Sequence, residues 1–135
     1  MILRLVSHRN WLGVLALMTC ALPAAAAWVP LASSDKVTYY IDRLVPPKTK
    51  GRVTIWMLRD YVKPQVFTEA PPYLSTKDQL DIDCANQQIR LLQRLDYPFH
   101  MGKGAPVRSA QGQDQWNAIP RETVIAHIAG VACGE

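Results

Sequence analysis

Residues 1–27 set the conditions under which the rest of the chain folds. Arg4 and Arg9 give a positively charged start, the chain from Trp11 to Leu22 is apolar and uncharged, and Pro23 breaks any helix. Ala24, Ala25, Ala26 and Ala27 then offer the small residues that a signal peptidase requires. This three-part pattern is that of a secretory signal. The competing reading is a membrane anchor, but the apolar stretch falls short of the roughly 20 residues needed to span a bilayer. The expected cut follows Ala27, makes Trp28 the first mature residue, and leaves no membrane span. Cys20 supports a minority reading, lipid anchoring at that cysteine. Met18 and Thr19 fit poorly before such a site, and the alanines downstream fit cleavage better.

Export also decides the cysteine arithmetic. Of three cysteines, cleavage removes Cys20 and leaves Cys84 and Cys133. An even pair in an oxidising compartment reads as a disulfide. Closing a loop of that size contributes roughly 4 kcal/mol in the chain-entropy model, a large share of the stability of a small domain. Residues 28–135 suffice for one domain with a modest core. Arg4 and Arg9 leave with the signal, so the formal net charge falls by two, from +4 to +2. No dense basic run remains. Lys48, Lys50 and Arg52 read as a solvated loop rather than a phosphate track, so nucleic acid is not an expected partner.

Alternation dominates the mature chain. Val37–Asp42 is rich in β-branched and aromatic residues and reads as a strand. Arg52 to Tyr61 reads as a second strand, with Val53, Ile55 and Met57 on one face and Trp56 and Leu58 on the other, so it is expected to be central. Pro64, Pro71 and Pro72 predict a long irregular connection after it. Leu80, Ile82 and Cys84 alternate with Gln79, Asp81 and Asp83. Ile89, Leu91, Leu95 and Tyr97 alternate with Gln88, Arg90, Arg94 and Asp96, and Leu92 and Gln93 break the pattern. A helix over 87–97 is the rival, because Gln, Leu and Arg favour helices. The alternation favours a hairpin turning at Ala85-Asn86, which sets Ile82 opposite Ile89, Leu80 opposite Leu91 and Asp81 opposite Arg90.

Met101 to Gly104 reads as a turn, Ala105 to Ala110 as a short strand, and Asp114 to Ala118 as a loop with Trp116 folded back. Pro120 and Glu122 suit the first turn of a helix, Val124, Ile125, Ile128 and Val131 recur at helical spacing, and Gly134 can cap its end. The expected fold is α+β: an antiparallel sheet of about five or six strands with a C-terminal helix tied to one face by Cys84 and Cys133.

No catalytic constellation stands out. His127 lacks a partner at ligand spacing and reads as a helix-surface or half-buried residue, and His100 lies beside a turn. Two histidines and two disulfide cysteines leave no zinc set. Asp81 and Asp83 share a strand face, but Arg90 and Arg94 opposite them favour ion pairing over a carboxylate pair. Ser75 lacks a nucleophile-elbow context, and Gly102-Lys103-Gly104 is too short for a phosphate loop. No cofactor or metal is expected. Trp56, Trp116, Tyr39, Tyr40 and Tyr61 are either core filling or a recognition surface. Core filling is favoured for Trp56, and Tyr40 is left open.

Several pieces in fixed order carry a resemblance. They are Trp28, Tyr39-Tyr40-Ile41-Asp42, Arg52 through Tyr61, Tyr73-Leu74-Ser75-Thr76-Lys77, Asp83-Cys84, Arg90, Gly102-Lys103-Gly104, Trp116, Pro120 and Cys133. In this the mature domain resembles the surface-adhesin protein E family of small exported bacterial domains. The resemblance implies an antiparallel sheet, a C-terminal helix tied to it by a disulfide, and a cell-envelope location. The family's founding member is a lipoprotein adhesin that binds host matrix and serum proteins. The poor lipid-attachment signal departs from that pattern, and no binding residue carries over. The reading is a non-enzymatic envelope module, periplasmic or at the cell surface, with another envelope or extracellular protein as its partner. The alternative is a small periplasmic hydrolase without a recognisable motif.

Overall fold

The computed structural model describes residues 27–135. The expected signal, with Arg4, Arg9 and Cys20, therefore lies outside the described residues. Among the described residues there are seven strands: β1 Trp28–Ser33, β2 Val37–Asp42, β3 Arg52–Phe67, β4 Ala70–Asp83, β5 Gln88–Tyr97, β6 Arg108–Gln111 and β7 Asn117–Ala118. The first six pair antiparallel in chain order, and β7 pairs with the far end of β5. One helix, α1 Val124–Cys133, follows.

The hairpin β4–β5 has the register expected from alternation: Ile82 opposes Ile89, Leu80 opposes Leu91, and Asp81 opposes Arg90. The break at Leu92 is a β-bulge, because Leu80 pairs with Leu91 while Gln79 pairs with Gln93. One extra residue inverts every later side chain on that strand. Leu95 and Tyr97 thus leave the face of Ile89 and Leu91, contrary to the simple alternation, and Arg94 moves onto it.

The prolines also turn out differently from expectation. In place of an irregular connection, β3 and β4 continue past the sheet as a two-stranded arm closed at Thr68-Glu69. Strand β2 stops opposite Tyr61, and β5 stops opposite Ser75. Beyond those points the arm has no lateral neighbours, so the missing N–H groups of Pro64, Pro71 and Pro72 break no ladder.

Val53, Ile55, Met57, Leu80, Ile82 and Ile41 line one sheet face, and α1 covers them with Ile128, Ala129, Ala132 and Cys133. The helix begins later than Pro120 suggests. Glu122 takes φ 56°, which helical geometry does not allow, and the Thr123 hydroxyl instead caps the helix by accepting from the Ala126 N–H. Val131 is 40% exposed and lies off the buried stripe, whose alanines let the helix approach the sheet closely. Gly134 ends the helix in the left-handed conformation, as expected. The Cys84–Cys133 disulfide, with Cα atoms 5.9 Å apart, fastens the helix end to the β4–β5 turn. Lys48 adds a second tie: its ammonium donates to the Cys133 carbonyl at 2.8 Å, so it is not the free solvated residue expected.

Candidate functional site

The helix covers only part of its sheet face. Beyond its N-terminus the same face continues as charged and aromatic residues: Asp78 on β4 lies opposite Arg94 on β5, and Arg59 on β3, opposite Thr76, reaches Asp78 from the next row. Asp78 is 1% exposed. It accepts from Arg59 Nη2 at 2.8 Å and from Arg94 Nε and Nη2 at 2.7 and 3.3 Å. A buried carboxylate needs such partners, since an uncompensated charge away from water is costly. Burial opposes the charge on Arg94, but the hydrogen bond to Asp78 and the charges of Asp78 and Asp96 outweigh it, so its pKa lies above the ordinary arginine value.

A second unit repeats this logic one row further on. Asp96, also 1% exposed, accepts from the Thr76 hydroxyl at 2.8 Å and from Arg108 Nε at 2.8 Å. The Arg108 guanidinium lies 4.0 Å from the centre of the Phe67 ring, within cation–π range. Tyr61 and Tyr73 meet edge to face at 5.9 Å beside these pairs. Burial, followed by the Asp96 charge, raises the Tyr73 pKa above its ordinary value. Where this surface meets the helix, Tyr39, Arg59, Asp78, Arg94 and Ile125 line a cleft of about 410 Å³. The arm beyond carries the exposed apolar residues Val62, Val66 and Phe67.

Buried acids holding arginines beside tyrosines make a rigid, donor-rich surface. Arginine and tyrosine are the residue types that dominate protein-recognition surfaces. Of the aromatics singled out from sequence, Tyr39 and Tyr61 belong here. Arg59, Asp78, Asp96 and Arg108 were missed. The bulge that turns Arg94 onto this face is the only sequence signal that could have found them.

The other expected residues fall elsewhere. Asp81 and Arg90 pair at 2.9 Å on the opposite face, and Arg90 also reaches Asp114 at 2.6 Å. Arg94 does not join them, because of the bulge, and Asp83 instead accepts from Asn86. Trp116 folds back as expected, lying 4.4 Å from the Arg90 guanidinium and 5.0 Å from that of Arg52. Arg52 is therefore part of a stack rather than a loop.

His127 is exposed on the helix. His100 is more engaged than expected, with Nδ1 3.0 Å from Asp60 Oδ1. Ser75 lies close by, but its hydroxyl is fully buried, donates to the Phe99 carbonyl and accepts from the Gly102 N–H. Asp60 also accepts from the Met101 N–H. These groups hold a turn at His100–Gly102 in which Met101 takes φ 58°. The proton of Ser75 is committed to a backbone carbonyl rather than to an imidazole, so the three residues anchor a turn instead of forming a nucleophile–base relay.

Among the described residues no group of three His, Cys, Asp or Glu side chains is arranged to hold a metal ion, and no helix is long and apolar enough to cross a membrane. No curated protein matches the chain. The family model described as surface-adhesin protein E matches residues 28–134, nearly all of the described domain. On that match, the chain belongs to the surface-adhesin protein E family.

Proposed function

We propose that this protein is exported, is cleaved after Ala27, and acts in the cell envelope as a non-enzymatic binding module for another envelope or extracellular protein. Membership of a surface-adhesin family implies an exported or surface location. The observation that carries the binding role is the uncovered end of the helix-bearing face. There Asp78 and Asp96 fix Arg59, Arg94 and Arg108 beside Tyr61 and Tyr73. Side chains held this way lose little conformational freedom on binding, and preorganisation of that kind raises affinity. The arm extends the surface with apolar residues that contribute nothing to the domain's own core.

Two measurements test the reading. Mass spectrometry of the mature protein, together with cell fractionation, should find Trp28 at the N-terminus and the protein outside the cytoplasm. An acylated Cys20 would instead move it onto a membrane. The paired change Tyr61→Ala and Phe67→Ser touches no core residue, and it should abolish retention of the envelope or extracellular partner while leaving the thermal transition nearly unmoved. Full retention by that variant would refute the assignment of this face.

A further inference from the structure

The opposite face of the sheet carries a separate site. All three tryptophans of the described residues, Trp28, Trp56 and Trp116, lie on that side, away from the helix. Antiparallel register sets Trp28 against Asp42 on β1 and β2, and Trp56 against Gln79 on β3 and β4. The next row brings Lys77 opposite Leu95, and the bulge at Leu92 puts Tyr97 on the same side. Trp28, Asp42, Trp56, Lys77, Leu95 and Tyr97 together line a basin of about 230 Å³.

Lys77 is its centre. The Lys77 ammonium stands 4.8 Å from the centre of the Tyr97 ring and 5.7 Å from that of Trp28. Among the described residues no oxygen accepts a hydrogen bond from it. Burial lowers its pKa below the ordinary 10.5, and the Asp42 charge only partly opposes this. A half-buried ammonium with three donors and no acceptor is poorly satisfied by the protein alone. The rim supplies further polar groups. Asp42 Oδ1 accepts from the Leu44 N–H, which leaves Oδ2 unused. Adjacent to the basin, where Gln79 lies opposite Trp56, Gln93 donates to Gln79 at 2.9 Å, so the Gln79 NH₂ and the Gln93 amide oxygen make no hydrogen bond of their own.

We propose that this basin binds a carboxylated sugar ring, with its C–H face against Trp56 and Trp28 and its carboxylate on the Lys77 ammonium. Flat aromatic walls match the apolar face of a pyranose, while Asp42 and the Gln79–Gln93 pair match its hydroxyls. A neutral sugar would leave Lys77 unpaired, and an aromatic acid would leave the polar rim unused. A ring bearing both hydroxyls and a carboxylate satisfies both. The site shares no residue with the arginine–tyrosine surface, so either assignment stands or falls alone.

The mature exported protein is titrated with sialyllactose, with digalacturonate, and with lactose as the neutral control. Binding is read from the indole N–H resonances of the three tryptophans. The acidic sugars should shift Trp28 and Trp56 but not Trp116, and lactose should shift none at the same concentration. Binding of one acid alone assigns the source as sialylated or uronate-bearing glycan, and binding of both assigns the shared carboxylated ring. Lys77→Met should weaken binding by about tenfold or more, Lys77→Arg should retain most of it, and Trp56→Leu should abolish it. An unshifted Trp116 resonance verifies that each variant is folded, and the arginine variant keeps the test decisive if Lys77→Met does not fold. The proposal is overturned if neither acid shifts Trp28 and Trp56, if lactose binds as well as the acids, or if both Lys77→Met and Trp56→Leu bind like the wild type.

Discussion

Asp78 and Lys77 are neighbours on β4 that point to opposite faces, and they show how charge is managed in a thin domain. Asp78 is buried but doubly paired, so removing it strands Arg59 and Arg94. Asp78→Ala should therefore cost about 3 kcal/mol, measured by chemical denaturation. A loss no larger than that of an exposed ion pair, below about 1 kcal/mol, would show that the two arginines turn to water without penalty. Lys77 is the reverse case, with its charge half-buried and unpaired. Its folded-state pKa lies below the unfolded value, so between those two values the unfolded chain binds more protons and stability rises with pH. Lys77→Met should accordingly be more stable than wild type at neutral pH, and that advantage should shrink as pH approaches 10.5. An advantage that stays constant with pH would mean that Lys77 carries no desolvation cost. Asp78 has no signal in the sequence, and Lys77 enters there only as one letter of a family motif, without a role. A lone Lys or Asp within an alternating strand looks solvated, and only the packing around it shows otherwise.

At the scale of elements, two-residue periodicity located the hairpin and its register through Ile82, Leu80 and Asp81, because one face must bury apolar side chains and a slip would invert all of them. The same rule misled beyond Leu92. Periodicity indicates that a pattern breaks but not which residue bulges out, and the bulge exchanges the faces of Arg94 and Tyr97, bringing Arg94 onto the helix-bearing side and Tyr97 onto the other. The bulge is locked from outside the strand: the Gly112 N–H donates to the Leu92 carbonyl at 2.9 Å, and any Cβ at Gly112 would overlap the Leu91 carbonyl. Prolines misled for a related reason, since they forbid central strands but not an arm without neighbours. The helix was readable as an element, and its start was not, because Pro120 and Glu122, expected in its first turn, precede the Thr123 cap. A ten-residue helix is marginal by itself, so its attachment matters. Replacing Cys84 and Cys133 together by serine should lower stability by about 2–5 kcal/mol. Hydrogen exchange should show α1 opening before the β3–β4 ladder. Unchanged stability in that double variant would mean that apolar packing and the Lys48 tie hold the helix without the bond.

At the scale of the whole domain, α1 divides the sheet into surfaces with different chemistry. Under it lies the apolar core. Past its N-terminus lies the arginine–tyrosine surface that leads onto the arm, and behind the sheet lies the tryptophan-lined basin. The overall class, the disulfide and the family were readable from the sequence because burial, cysteine parity and motif order are properties of the chain. The division of the sheet into surfaces depends on one bulge, of which the sequence shows only a broken pattern at Leu92 and Gln93, and on the helix covering only part of a face, which has no residue signature. The assignment of protein recognition to the helix-free end of the helix-bearing face is tested most directly by site-specific photocrosslinking in intact cells. A photoreactive residue is placed in turn at Tyr61, at Val131 on the exposed side of the helix, and at Gln93 on the opposite face. The account predicts one discrete adduct with an envelope or extracellular protein from position 61 and none from 131 or 93. Adducts from 131 or 93 with none from 61 would contradict it.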